Sequence, residues 1–223
     1  MKKTLIMLLI IVSGLSLRAQ TPVDIYYHVP FIPQPTSVSC WSSSIAMILW
    51  WRDNEDAQMC LMDALTPEEV ALNIGYFEQY FKTGLDGDDA TPLNDYGFIT
   101  VQPMSFPIAT LVSFLRHGPV WVAYEGCQNP LSNCGHAVVL VGIRGDGTPV
   151  NTTVFLHDPD DGSGTYPNLG VRDREMDYNE FIERLNHFAL RRSGQEILFL
   201  AYLRNIITTQ RPTTATQESR NGQ

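Results

Sequence analysis

Three segments carry residue types that can do chemistry together. The first, Gln34-Pro35-Thr36-Ser37-Val38-Ser39-Cys40-Trp41, runs straight into a stretch that is apolar almost all round, from Trp41 to Trp51. A helix that is hydrophobic on every face belongs in the interior of a fold, so Cys40 is expected at the start of a buried helix. There the helix dipole favours thiolate over thiol. The second, Gly135-His136-Ala137-Val138-Val139-Leu140, sets a histidine at the mouth of an apolar strand. The third, Val154-Phe155-Leu156-His157-Asp158-Pro159, ends the next strand on an acid. Adjacent antiparallel strands can bring His136 and Asp158 to one sheet edge, with the Cys40 helix packed against it. A nucleophile, a general base and an orienting carboxylate would then meet. Gln34 lies six residues before Cys40, close enough to offer its amide, beside the Cys40 N–H, to a developing oxyanion. Each of these residues alone is commonly structural; their joint order, each at the end of an element, selects the chemistry.

The elements that must position them follow from pattern. Pro22, Pro30, Pro33 and Pro35 keep residues 20–39 extended. Thr66-Pro67-Glu68-Glu69 starts a second helix running to about Lys82, followed by a polar loop over 84–89. Pro107 to Arg116 reads as a third helix, stopped by Gly118-Pro119. Val120–Tyr124, Ala137–Ile143, Thr153–His157 and Ile197–Leu203 are β-branched or aromatic runs, with a hairpin signal at Gly145-Asp146-Gly147. A last helix fits Tyr178–His187, with Asp177 as cap and Glu180 closing a capping box. Helices first and an antiparallel sheet second make the fold α+β. His28 reads as a surface residue, and alternation along its strand turns His157 to the face opposite Asp158.

The order Gln34…Cys40-Trp41, then Gly118-Pro119-Val120, then Gly135-His136-Ala137-Val138, then an acid after the next strand resembles the papain-like cysteine peptidases. The resemblance runs from about Ile32 to Asp158. It implies that Cys40 is the nucleophile, His136 the base and Gln34 the oxyanion-hole side chain. The third triad position falls on Asp158, where plant and lysosomal members carry Asn. That choice is more like the compact bacterial branches, among them bacteriocin-leader peptidases and secreted effector proteases of plant pathogens. Val29-Pro30-Phe31-Ile32-Pro33-Gln34 is similar to the opening of those bacterial domains. Two family features differ: Cys-Gly-Ser-Cys-Trp is replaced by Val38-Ser39-Cys40-Trp41, and His157-Asp158-Pro159 stands in place of Asn-Ser-Trp-Gly.

Residues 1–19 read as a secretory signal peptide: Lys2 and Lys3, an unbroken apolar run Leu5–Val12, and a cleavage site after Ala19. The expected organisation is a leader over 1–19, one peptidase domain over 20–207 and a disordered polar tail over 208–223. Cleavage would leave the protein secreted or periplasmic. The chain has 223 residues, 44% of them hydrophobic and 17% charged, which suits one packed domain rather than disorder. Its formal charge of −9 argues against a nucleic-acid partner, and it holds no uninterrupted apolar run long enough for a stable membrane span.

In an oxidising compartment the four cysteines, Cys40, Cys60, Cys127 and Cys134, would allow two disulfides. Cys127 and Cys134 flank a turn-rich stretch that a disulfide could close. If Cys40 stays a free thiol, Cys60 is buried as a small hydrophobe or pairs elsewhere. A zinc site from Cys127, Cys134 and His136 matches no common finger spacing, so no metal or organic cofactor is expected. The expected function is a secreted cysteine peptidase acting on protein or peptide substrates through an acyl-thioester. A cell-wall amidase or transamidase with the same triad, and an inactive binding module whose Cys40 is oxidised or merely buried, stand as alternatives. Oligomeric state is not legible.

Overall fold

The computed structural model describes residues 21–53, 97–102, 104, 106–126, 135–166, 169–191 and 199–203. The leader, the helix expected over 66–82, the loop over 84–89, Cys60, Cys127, Cys134 and the tail over 208–223 lie outside the described residues. The elements in chain order are β1 (Val23–Tyr26), α1 (Cys40–Asp53), β2 (Phe98–Val101), α2 (Ile108–Leu115), β3 (Val120–Glu125), β4 (Gly135–Gly145), β5 (Thr152–Asp158), β6 (Val171–Asp177), α3 (Tyr178–Arg191) and β7 (Leu200–Leu203). The architecture is α+β: one antiparallel sheet ordered β2-β7-β3-β4-β5-β6, with β1 also paired to β4, and helices packed against it.

The central strands are apolar on both faces because both faces are covered. Val120–Tyr124 of β3 and Ala137–Ile143 of β4, Gly142 aside, belong to one continuous core with Ile45, Met47, Ile48 and Leu49 of α1. Each Val, Leu, Ile or Met among them stabilises the fold by about 1.5–3 kcal/mol when fully buried. β4 is long enough to serve two neighbours on one side. Its first half pairs β3, from Glu125↔Gly135 to Val120↔Leu140, and its second half pairs β1, from Tyr26↔Gly142 to Val23↔Gly145. A Cβ on Gly142 would stand 2.6 Å from the Ile25 carbonyl, so the close approach of β1 requires glycine there.

β1 falls in the segment read as extended over 20–39 and pairs with β4. β2, also from the N-terminal half, departs from the expectation of helices first and sheet second and joins the sheet at its edge beside β7. β6, Val-Arg-Asp-Arg-Glu-Met-Asp, has no apolar alternation to reveal it, because Met176 is its one buried residue. It is an edge strand held by the β5 ladder. At the start of α3, Asp177 Oδ1 accepts the Asn179 N–H at 2.8 Å as expected of a cap, while Glu180 pairs forward with Arg184 instead of closing the box.

Candidate active site

Cys40 is the first residue of α1. The turn before it is locked by Ser39, whose Oγ accepts the Thr36 N–H at 3.0 Å and donates to the Thr36 carbonyl at 3.0 Å. That side chain faces backward, so the opening N–H groups of α1, which have no intrahelical acceptor, stay directed at whatever sits on the helix axis. Cys40 itself is a half-buried free thiol. The serines that follow are buried, and each finds a backbone acceptor. Ser42 Oγ donates to the Ser39 carbonyl, and Ser43 Oγ to that of Pro33. Ser44 Oγ donates to the Ala137 carbonyl at 3.2 Å, tying α1 to β4 beside His136. From β3, Trp121 Nε1 donates to the Trp41 carbonyl at 3.2 Å. The helix that begins at Cys40 is therefore fixed to the sheet by polar bonds as well as apolar packing.

His136 lies three residues before Val139, and Asp158 one residue after its ladder partner His157, at the neighbouring ends of β4 and β5. His136 Nε2 lies 2.6 Å from Asp158 Oδ1, which leaves Nδ1 for the Cys40 thiol, and the thiol and imidazole are hydrogen-bonded. Burial alone would push the Cys40 thiol up. The bond to His136, its charge, and the backbone N–H groups of Ala137 and Trp41 outweigh burial and hold the thiol below its ordinary value. Burial likewise works against imidazolium, but the bonds to Asp158 and Cys40 and their negative charges lift His136 to about 10. Burial would also raise Asp158, and the His136 bond and charge, the Asp160 N–H and Arg174 bring it below the usual carboxylate range. All three shifts favour the charged forms, thiolate, imidazolium and carboxylate.

Gln34 is 1% exposed. Its N–H donates to the Pro159 carbonyl at 2.9 Å and its Nε2 to the Tyr166 hydroxyl at 3.3 Å. Its Oε1 is buried without a partner. Tyr166 in turn feels the Cys40 charge, which puts the Gln34 amide, the Tyr166 hydroxyl and the thiol around one spot. His28 is exposed, packed edge-on against Tyr26. His157 is buried on the other face of β5, with Nε2 on the Val29 carbonyl at 2.9 Å. Neither reaches Cys40.

Three neighbours of the site carry no sequence signal. Tyr124 is paired across the ladder with His136, sets its ring edge-on to the imidazole, and donates its hydroxyl to Asp158 Oδ2 at 3.3 Å. Arg174 reaches the same oxygen from β6 at 2.9 Å. Gly126, just after β3, leaves room for the His136 side chain, because a Cβ there would stand 2.3 Å from His136 Cβ. Among the described residues no cluster of His, Cys, Asp or Glu has the arrangement of a metal site. Such a constellation can form and break a thioester. A family model described as papain-like cysteine protease AvrRpt2 matches residues 21–171. No curated protein matches the chain.

Proposed function

The chain belongs to the papain-like cysteine protease family described as AvrRpt2, and on that premise we propose that it hydrolyses peptide bonds through a triad of Cys40, His136 and Asp158. The observation that carries this reading is the hydrogen-bonded row from Asp158 through His136 to the thiol, with its 2.6 Å carboxylate–imidazole contact. The Cys40 thiolate attacks the scissile carbonyl carbon, and the carbonyl π electrons move to oxygen. Gln34 Nε2 and the Cys40 N–H receive that oxyanion. His136 passes its proton to the amine as the C–N bond breaks, leaving an acyl-thioester. Water then attacks the thioester, His136 takes its proton, and the thiolate departs with the acid product released. Asp158 keeps the imidazole ring turned so that Nδ1 faces sulfur throughout.

Export belongs to the same proposal: the basic start, the apolar run Leu5–Val12 and Ala19 would direct the chain out of the cytosol. Removing Lys2, Lys3 and Arg18 with the leader leaves 12 basic residues against 24 acidic ones, a balance that favours cationic peptides. A mixed peptide library incubated with the wild-type chain and with Cys40→Ala, read by mass spectrometry, tests the reading. Cleavage products made by the wild type alone, with a transient acyl adduct on Cys40, are the expected result. Products made equally by Cys40→Ala would overturn it.

A further inference from the structure

We propose that Arg174 is a positioning residue of the site, holding Asp158 ionised and aimed at His136 and setting the pH range over which the Cys40–His136 pair is active. This rests on the triad reading above and deepens it. Asp158 is nearly sealed from solvent, and both its oxygens are occupied. Oδ1 takes His136 Nε2 at 2.6 Å and the Asp160 N–H at 3.0 Å. Oδ2 takes the Tyr124 hydroxyl at 3.3 Å and Arg174 Nη1 at 2.9 Å. A buried carboxylate facing one cation can be neutralised by accepting its proton; a second, permanently charged partner on the far oxygen prevents that. The Arg174 side chain is 30% exposed against 3% for Asp158, so the guanidinium keeps part of its hydration while compensating a charge that has lost its own.

The backbone is bent to put Arg174 there. Arg174 pairs with Leu156, and Asp158 pairs with Val171, so β6 carries one extra residue opposite this stretch of β5. Asp173, inside that bulge, adopts φ +54, the left-handed region that side chains rarely enter. Tyr26 donates its hydroxyl to Asp173 Oδ1, and the Asp173 N–H lies 3.3 Å from His157 Nδ1. Leu156 and Asp158 share one face of β5, so the bulge sets Arg174 diagonal to Asp158 on that face. The strain on the back of the sheet is spent aiming a cation at the front.

Among the described residues, the charged and titratable groups around Asp158 are His136 on β4, Tyr124 on β3, Arg174 on β6, Asp160 in the following turn and Cys40 on α1. Arg184 of α3 lies over the Tyr124 ring, with His157, Arg172 and Asp173 behind the sheet. Arg174 is the cation on the carboxylate that no proton transfer can remove. Without it the local potential becomes more negative. Thiolate is then harder to form and imidazolium harder to deprotonate, so the acidic and the alkaline limits of the ion pair both move upward.

The test is the rate of iodoacetamide alkylation at each cysteine against pH, read by peptide mass spectrometry. It is run on the full chain, Arg174→Gln, Arg174→Lys and His136→Ala. In Arg174→Gln the midpoint for Cys40 is expected to rise by roughly one pH unit, while Arg174→Lys stays near wild type. Should Arg174→Gln not give a folded circular-dichroism spectrum, Arg174→Met, which retains the apolar stem, takes its place. A midpoint unchanged in the neutral variant, whatever happens to the total rate, overturns the role of Arg174 and leaves the triad reading standing. A wild-type profile that His136→Ala does not alter overturns both.

Discussion

The N–H of Gln34 donates to the carbonyl of Pro159 at 2.9 Å, so the residue proposed as the oxyanion donor is clamped to the one that follows Asp158. The clamp is main chain to main chain and does not depend on the glutamine side chain. Gln34→Ala should therefore leave Cys40, His136 and Asp158 in place and remove a donor alone. We expect kcat to fall by about 10²–10³ with little change in KM, while the rate of Cys40 alkylation stays at the wild-type level. Loss of alkylation together with turnover would show that the side chain supports the triad rather than the oxyanion.

Cys40→Ala and His136→Ala should each lower turnover by at least about 10⁴. Cys40→Ala removes no large apolar contact, so its thermal midpoint should stay close to wild type, whereas His136→Ala also leaves the buried Asp158 carboxylate without its imidazole partner and should melt lower. Steady-state rates with parallel melting curves decide this. A fully active His136→Ala protein would sink the assignment of the base.

The pH behaviour follows from the directions of the shifts. His136 is raised to about 10 and Cys40 is lowered, so kcat/KM should form a plateau between the two. The acid limb marks protonation of the thiolate, and the alkaline limb marks loss of the His136 proton near 10. Stability has its own signature. Asp158 is lowered in the folded chain, so its contribution is present above the ordinary carboxylate pKa of about 3.9 and disappears as pH falls through the lowered value. The melting-temperature gap between wild type and Asp158→Asn should accordingly narrow on acidification. A gap that widens in acid would reverse the sign assigned here.

Gly126→Ala tests how closely the base is fitted. The added Cβ would stand 2.3 Å from His136 Cβ, and neither atom is the flexible end of a side chain. The strand end must shift and carry the imidazole with it. A misplacement on the order of 1 Å costs about 10² in rate, and overpacking of this kind costs roughly 1–3 kcal/mol of stability. Kinetics and denaturant midpoints measure both, and wild-type kcat in Gly126→Ala would mean that β3 and β4 yield without moving His136.

The parts of this site that were legible in the sequence are those whose role is written in local pattern. Cys40 announces itself by standing before an all-apolar helix, and His136 and Asp158 by standing at the ends of apolar strands. Tyr124, Arg174 and Tyr166 were not legible, because their roles depend on which strands are neighbours and in what register. Tyr124 matters through its cross-ladder pairing with His136, and Arg174 through a bulge in a strand so polar that nothing marks it as one. The buried hydroxyls of Ser42, Ser43 and Ser44 were not legible either; they are bonded to carbonyls, Ser44 to that of Ala137 on β4.

The strand order has a consequence for how the protein is made. β7 lies between β2 and β3, with Ala201 opposite Trp121 and also opposite Thr100. The strand that emerges latest among those described thus fills an interior place in the sheet. Contacts this distant in sequence close slowly, because the intervening chain must first be gathered. Until residues 200–203 arrive, β2 has no partner among the described strands and β3 shows an open edge to other nascent chains. A chain stopped short of Leu200 should therefore be prone to aggregate, and the sheet that carries His136 reaches its final form only after β7 has emerged.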